Sequence, residues 1–145
     1  LINDSISYHY SIDNASTIRG NVNSKVLDCY QALLASEEWI SRESLKIQKA
    51  FNKYKLMNLN VIMVREVFAR SKEIKYDFSH SFRKQEKIIK MPLFKSAIDK
   101  SSLTEFNQLG MLPILLFKCH LNILSAFIYN IRSYFNFRKE NRGEK

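Results

Sequence analysis

Apolar residues recur at helical spacing along most of the chain. Val26, Leu27, Tyr30, Leu33 and Leu34 lie three and four apart and predict a helix over about 24–40. Ile47, Ala50, Tyr54, Met57, Val61, Val64 and Phe68 repeat the alternation as a core stripe. They predict a helix over about 44–74, roughly 45 Å long at about 1.5 Å per residue, which is enough for the spine of a bundle. A shorter helix is expected over 76–90, with Asp77 or Ser79 as its cap, Pro92 beyond its end, and Ile88 and Ile89 in the core. The signal over 93–109 is weaker. Leu103, Phe106 and Leu109 share a face, Ser101-Ser102 is a candidate break, and Gly110 is placed to stop the helix. The last stretch, GMLPILLFKCHLNILSAFIYNIRSYFNF over 110–137, reads as one helix with Pro113 in its first turn.

Residues 1–20 are polar with scattered Ile and Tyr and no helical period, so they read as an arm. The stretch RKENRGEK, 138–145, reads as a charged, frayed tail. Between them, 21–137 forms a single domain in a chain of 145 residues. Three Gly and two Pro provide little turn material, which favours a few long helices over many short strands. The expected fold is therefore all-α, an up-and-down bundle of four to five helices with one long central helix.

Two helices carry more apolar residues than a bundle needs. In the last one, Phe117, Leu121, Leu124, Ile128, Ile131 and Phe135 form a 4-3-4-3-4 stripe, assigned to the core. Lys118, Asn122, Ser125, Arg132 and Asn136 form a polar stripe about 80° away. Leu116, Ile123, Phe127 and Tyr134 make a second apolar stripe. The segment is too interrupted to cross a membrane. Only thirteen residues separate Lys118 from Arg132, whereas a span takes about 20 apolar residues. In the 44–74 helix, Leu56, Leu59 and Met63 fall on the face turned away from the assigned core stripe, with Lys49, Lys53, Lys55 and Arg70 alongside. An apolar ridge fringed by cations fits an anionic membrane surface; an additional packed helix covers it equally well. Both readings stay open at this level.

The net charge is +9, and it is concentrated. From Arg42 to Lys100 there are fifteen Lys or Arg against six acids, while the first 41 residues sum to −3 and the last 45 to +3. A basic middle favours a polyanionic partner: nucleic acid, an anionic lipid surface or an acidic glycoprotein. Nucleic acid is the least favoured. Lys46, Lys49 and Lys53 make a basic edge, and Arg83, Lys84, Lys87 and Lys90 make a cluster, but zinc-finger spacing, a helix-turn-helix and an aromatic RNA-binding motif are all missing. A helical cytokine fits the length but does not account for the apolar ridge or the charge.

Catalytic chemistry has no foothold. His9, His80 and His120 are scattered, no HExxH or CxxC spacing occurs, and Gly20, Gly110 and Gly143 are too far apart for a phosphate or dinucleotide loop. The expectation is a non-enzymatic protein with no cofactor and no metal. Cys29 and Cys119 are the two thiols; a bridge between first and last helices and two buried free thiols both fit. The chain begins at Leu1, which reads as a processed product, and Asn3 and Asn14 head N-x-S sequons that matter on a secretory route.

One order of features is specific. SRESLKIQKAFNKYKLMNLNVIMVREVFARSKEI gives a long basic helix, AID (Ala97–Asp99) follows a shorter basic one, and EFNQLGMLPILL leads through a Met–aliphatic–Pro turn into an apolar last helix. Over roughly Val26 to Ile131 this order resembles the abalone sperm lysin family. Lacking the dense Arg tracks of lysin itself, and with a far more apolar C-terminal helix, the chain is closest in character to the family's fusagenic acrosomal paralogue. The resemblance implies a five-helix all-α fold, storage in the sperm acrosomal vesicle, and secretion at the egg surface. It also implies fusion of sperm and egg membranes without catalysis. Its alternative is disruption of an egg-coat glycoprotein, also without catalysis. On that reading Leu56, Leu59, Met63, Ile123, Phe127 and Tyr134 form the surface that meets the egg plasma membrane or an egg-surface glycoprotein. Lys49, Lys53, Lys55 and Arg70 steer it, and the exposed apolar surface is also open to self-association.

Overall fold

α1, Val22–Ile40, opens the described part of the chain and turns at Ser41–Glu43 into α2, Leu45–Ile62. The computed structural model describes residues 22–102, 106 and 108–142; the expected arm, both sequons and Leu103 lie outside the described residues. Antiparallel packing of α1 on α2 is pinned by the Cys29 thiol on Asn58 (3.8 Å) and by Lys55 on Glu37 (2.7 Å). α2 does not continue to residue 74. Its last turn widens into a π-turn, Met63–Val67, closed by Phe68 N–H on the Met63 carbonyl at 2.9 Å. Each π-turn residue rotates the chain less than an α-helical one does. The turn therefore swings Phe68 off the outward stripe to which α spacing assigns it and into the core, where it is fully buried.

α3, Phe78–Ile89, starts where expected, capped by the Asp77 carboxylate accepting from His80 N–H at 3.2 Å. Pro92 opens α4, Pro92–Lys100, rather than merely following α3. Ser101 ends α4, as the Ser101-Ser102 pair foreshadows. Gly110 lies in a 3-10 turn, Leu109–Met111, and not at a helix stop.

The stretch expected as one last helix is two. α5, Leu112–Lys118, and α6, Asn122–Arg142, are separated by a turn in which His120 takes φ +59°. That left-handed residue lets Leu121 N–H reach back to the Leu116 carbonyl (2.8 Å) and His120 N–H to Phe117 (3.0 Å), closing the end of α5. α6 then runs back along α5, with Ser125 Oγ on the Pro113 carbonyl and Arg132 on that of Gly110, both at 2.9 Å. The tail expected to fray continues as helix through Arg142.

The result is an all-α bundle, with six α-helices among the described residues and α2 plus its π-turn in the middle. The core is built on Leu56, Leu59, Met63, Phe68, Phe94 and Ile114, each fully buried. Leu56, Leu59 and Met63 are thus a correction: the ridge assigned to an outward surface has 0% exposure and is the centre of the molecule. The stripe assigned to the core, Ile47, Ala50, Tyr54, Met57 and Val61, faces out.

Candidate functional site

The outward face of α6 is the feature that a stable bundle does not require. Ile123, Phe127 and Tyr134, the second apolar stripe of the sequence, are 54%, 50% and 41% exposed. Leu121, Leu124, Ile131 and Phe135, expected in the core, join them outside. At about 100° per residue, the arc from Ile123 to Phe135 spans about 120° of the helix. From Leu121 to Phe135 it runs about 21 Å. Arg138, Lys139 and Arg142 follow on the last turns.

The inversion has a polar cause. Lys118 Nζ donates to the Ile98, Asp99 and Ser101 carbonyls at 3.2, 2.9 and 2.5 Å, which closes the C-terminal end of α4. The Arg132 guanidinium forks onto the Leu109 and Gly110 carbonyls at 2.6 and 2.9 Å. Asn122 donates to Glu86 at 2.7 Å and accepts at its carbonyl from Gln85 at 3.0 Å. Ser125 and Ser133 are buried, each donating to a main-chain carbonyl, those of Pro113 and Phe68. The polar side of this segment is therefore the inner side, because irregular and terminal backbone beneath it needs donors. The greasy stripe is left outside.

Two of the outward residues are held rigidly. Phe127 ends an aromatic chain that starts in the core. Tyr129 stacks on Phe68 (centroids 5.9 Å apart), Phe68 meets Phe78 (6.3 Å), and Phe78 stacks on Phe127 (5.2 Å). Tyr134 lies between two guanidinium groups, Arg70 at 5.2 Å and Arg138 at 5.8 Å from its ring centre. Within the core, burial pushes the Tyr129 phenol far above its usual pKa, and its hydroxyl has no hydrogen-bond partner among the described residues.

The steering cations divide. Lys49 and Lys53 are exposed on α2. Lys55 is a correction: it is buried, 2.7 Å from Glu37 and over the Phe51 ring, so it joins α1 to α2 instead of facing outward as a steering charge. Arg70 is engaged as well. It sits 4.1 Å over Tyr76, beside Tyr134, and donates to Asn130 at 2.6 Å, so it orders the wall beside α6. Cys29 and Cys119 are free thiols, Cys29 half-buried and Cys119 exposed.

Sequence reasoning offered Ile123, Phe127 and Tyr134 as a candidate surface and left their exposure open; it missed Leu121, Leu124, Ile131 and Phe135, together with the basic end at Arg138, Lys139 and Arg142. The missed signal was the density of hydrogen-bonding groups in Lys118, Asn122, Ser125 and Arg132. Among the described residues, no helix is long and apolar enough to cross a membrane, and no cluster of His, Cys, Asp or Glu is arranged to hold a metal ion. Comparison with protein-family models, with curated proteins and with solved structures finds no match.

Proposed function

We propose that the protein is a non-enzymatic secreted fertilization protein of the sperm acrosome that binds and perturbs membranes, seating the outward face of α6 in lipid. The observation that carries this reading is the apolar arc Ile123–Phe135, left uncovered on a helix whose polar side faces inward. A helix with one continuous apolar side and a basic end suits the boundary between head groups and acyl chains. Arg138, Lys139 and Arg142, with exposed Lys49 and Lys53 on α2, draw the molecule to anionic lipid at about 1 kcal/mol per basic residue near the surface. The resemblance to the lysin family supplies the setting, sperm and egg membranes.

The test is lipid mixing and dye leakage from vesicles with and without anionic lipid, with wild type compared with Phe127→Lys. Phe127 is half exposed, so the variant keeps its helical circular dichroism. Mixing by wild type that is lost in the folded variant is the expected outcome. A wild type inert on every vesicle overturns direct membrane action and moves the assignment to an egg-coat glycoprotein.

A further inference from the structure

A cavity of about 450 Å³ lies where the end of α1, the first half of α2 and the end of α4 meet. It falls within the range of about 300–1,000 Å³ usual for small-molecule sites. Among the described residues, three lysines line it, Lys49, Lys55 and Lys100, against the single carboxylate of Glu37. Lys55 is the unusual one. Its side chain is only 4% exposed, and its ammonium makes one hydrogen bond, to Glu37 at 2.7 Å. An ammonium carries three N–H groups, so two remain for a guest.

The acceptors in the same cavity are also unmet. Asn52 donates to the Ala97 carbonyl and to Ser101 Oγ, both at 3.1 Å. That fixes its amide so that Oδ1 is buried with no partner among the described residues. Gln48 commits its Nε2 to the Ser41 and Glu43 carbonyls at 3.1 and 2.8 Å, which leaves its oxygen as an acceptor. Ile40, Leu45 and Phe51 supply an apolar wall.

These three demands select a ligand class. The lysine excess calls for an anion. A simple anion such as phosphate answers the lysines but leaves the Asn52 and Gln48 oxygens and the apolar wall unused. A fatty acid covers the wall and offers no donor to the buried Asn52 oxygen, whose desolvation then stays uncompensated. A ring bearing hydroxyl donors, a C–H face and one acidic group answers all three. We infer that this cavity is a binding site for an acidic sugar, a pyranose carrying a carboxylate or a sulfate, free or at the end of a glycan. Lys49, Lys55 and Lys100 take its acidic group, Asn52 and Gln48 accept from its hydroxyls, and Ile40 and Leu45 line its C–H face. The site shares no residue with the α6 face; Lys49 is common to it and to the cations that draw the molecule to lipid, so Lys100→Glu is the variant that tests the site alone.

The experiment is a titration of the full chain, followed by amide chemical shifts and calorimetry. The probes are glucuronate, sialic acid, a sulfated monosaccharide, a neutral methyl glucoside, inorganic phosphate and a glycan ending in the best acidic sugar. Saturable binding of an acidic sugar is expected, at least tenfold tighter than the neutral sugar or phosphate, with shifts centred on Gln48, Asn52 and Lys55. Comparison of the free sugar with the glycan identifies the natural source. Lys49→Glu and Lys100→Glu, both at exposed positions, weaken it tenfold or more with unchanged circular dichroism, while Lys72→Glu, remote from the cavity, has no effect. Phosphate or neutral sugar binding as tightly, Lys72→Glu weakening binding equally, or no saturation by any acidic sugar overturns the assignment.

Discussion

Truncating Leu124 and Ile131 together to Ala separates the membrane reading from a purely structural role for α6. Leu124 is 48% and Ile131 52% exposed, so about half of each side chain is open to a partner. Fully burying such a side chain contributes about 1.5–3 kcal/mol. The open half therefore contributes about 1 kcal/mol per residue when α6 seats in lipid, and about 2 kcal/mol for the pair. Because about 1.4 kcal/mol is a factor of ten, the double variant should partition onto vesicles about 30-fold more weakly. The packed half of each side chain contributes about 1 kcal/mol to folding, partly offset because Ala is the strongest helix former, so the double variant should melt somewhat earlier but stay folded. The assay is co-sedimentation with anionic vesicles over a lipid titration, beside a thermal melt on the same samples. Leu59→Ala is the matched opposite. Leu59 is fully buried, so that change should cost about 2–5 kcal/mol of stability and leave the partitioning of still-folded protein near wild type. A folded double variant that binds vesicles within threefold of wild type refutes the argument.

Other consequences follow from the same structure. Tyr129→Phe keeps the stacks on Phe68 and Phe117 while deleting a buried hydroxyl without a partner. It should be neutral or stabilise by about 1 kcal/mol in a denaturant melt, and a loss of that size would mean the hydroxyl is bonded after all. Lys118→Met strips the donor from three carbonyls at the end of α4. It should cost about 1–3 kcal/mol and speed hydrogen exchange at the Ser101 amide, which bonds to Ile98; unchanged exchange and stability would show that solvent replaces the ammonium. Cys119 is exposed, whereas Cys29 is half-buried, with burial pushing its thiol pKa up and Asn58 accepting its hydrogen bond. An alkylating reagent at neutral pH should therefore label Cys119 first by mass spectrometry, and equal rates would argue against the packing of α1 on α2.

Helical periodicity made the fold class and most helices legible because an apolar repeat of three and four marks a helix whichever way it faces. It could not decide the facing of α2 and α6, since each carries two apolar stripes. Hydrophobicity alone ranks Ile47, Tyr54 and Met57 level with Leu56, Leu59 and Met63. What breaks the tie is the polar inventory between the stripes. On α2, Lys55 and Asn52 must reach Glu37 and the end of α4, and they carry Leu56 and Leu59 inward with them. On α6, Ser125, Arg132 and Ser133 must reach main-chain carbonyls in the 109–113 turn and at Phe68. Leaving a buried carbonyl unmet costs about 1–3 kcal/mol, comparable with what the burial of a half-exposed Leu or Ile returns. Several such bonds outweigh the stripe, so the bundle closes on its hydrogen bonds and the apolar residues are turned out. The break at His120 permits this. A single straight helix over 110–137 would place Phe117, Leu121, Leu124 and Ile128 on one line, and Phe117 is buried. By interrupting the helix there, the chain buries Phe117 in α5 and sends Leu121, Leu124 and Phe127 outward on α6. The surface that needs a partner is created by that one left-handed residue, with no glycine or proline beside it to announce it in the sequence.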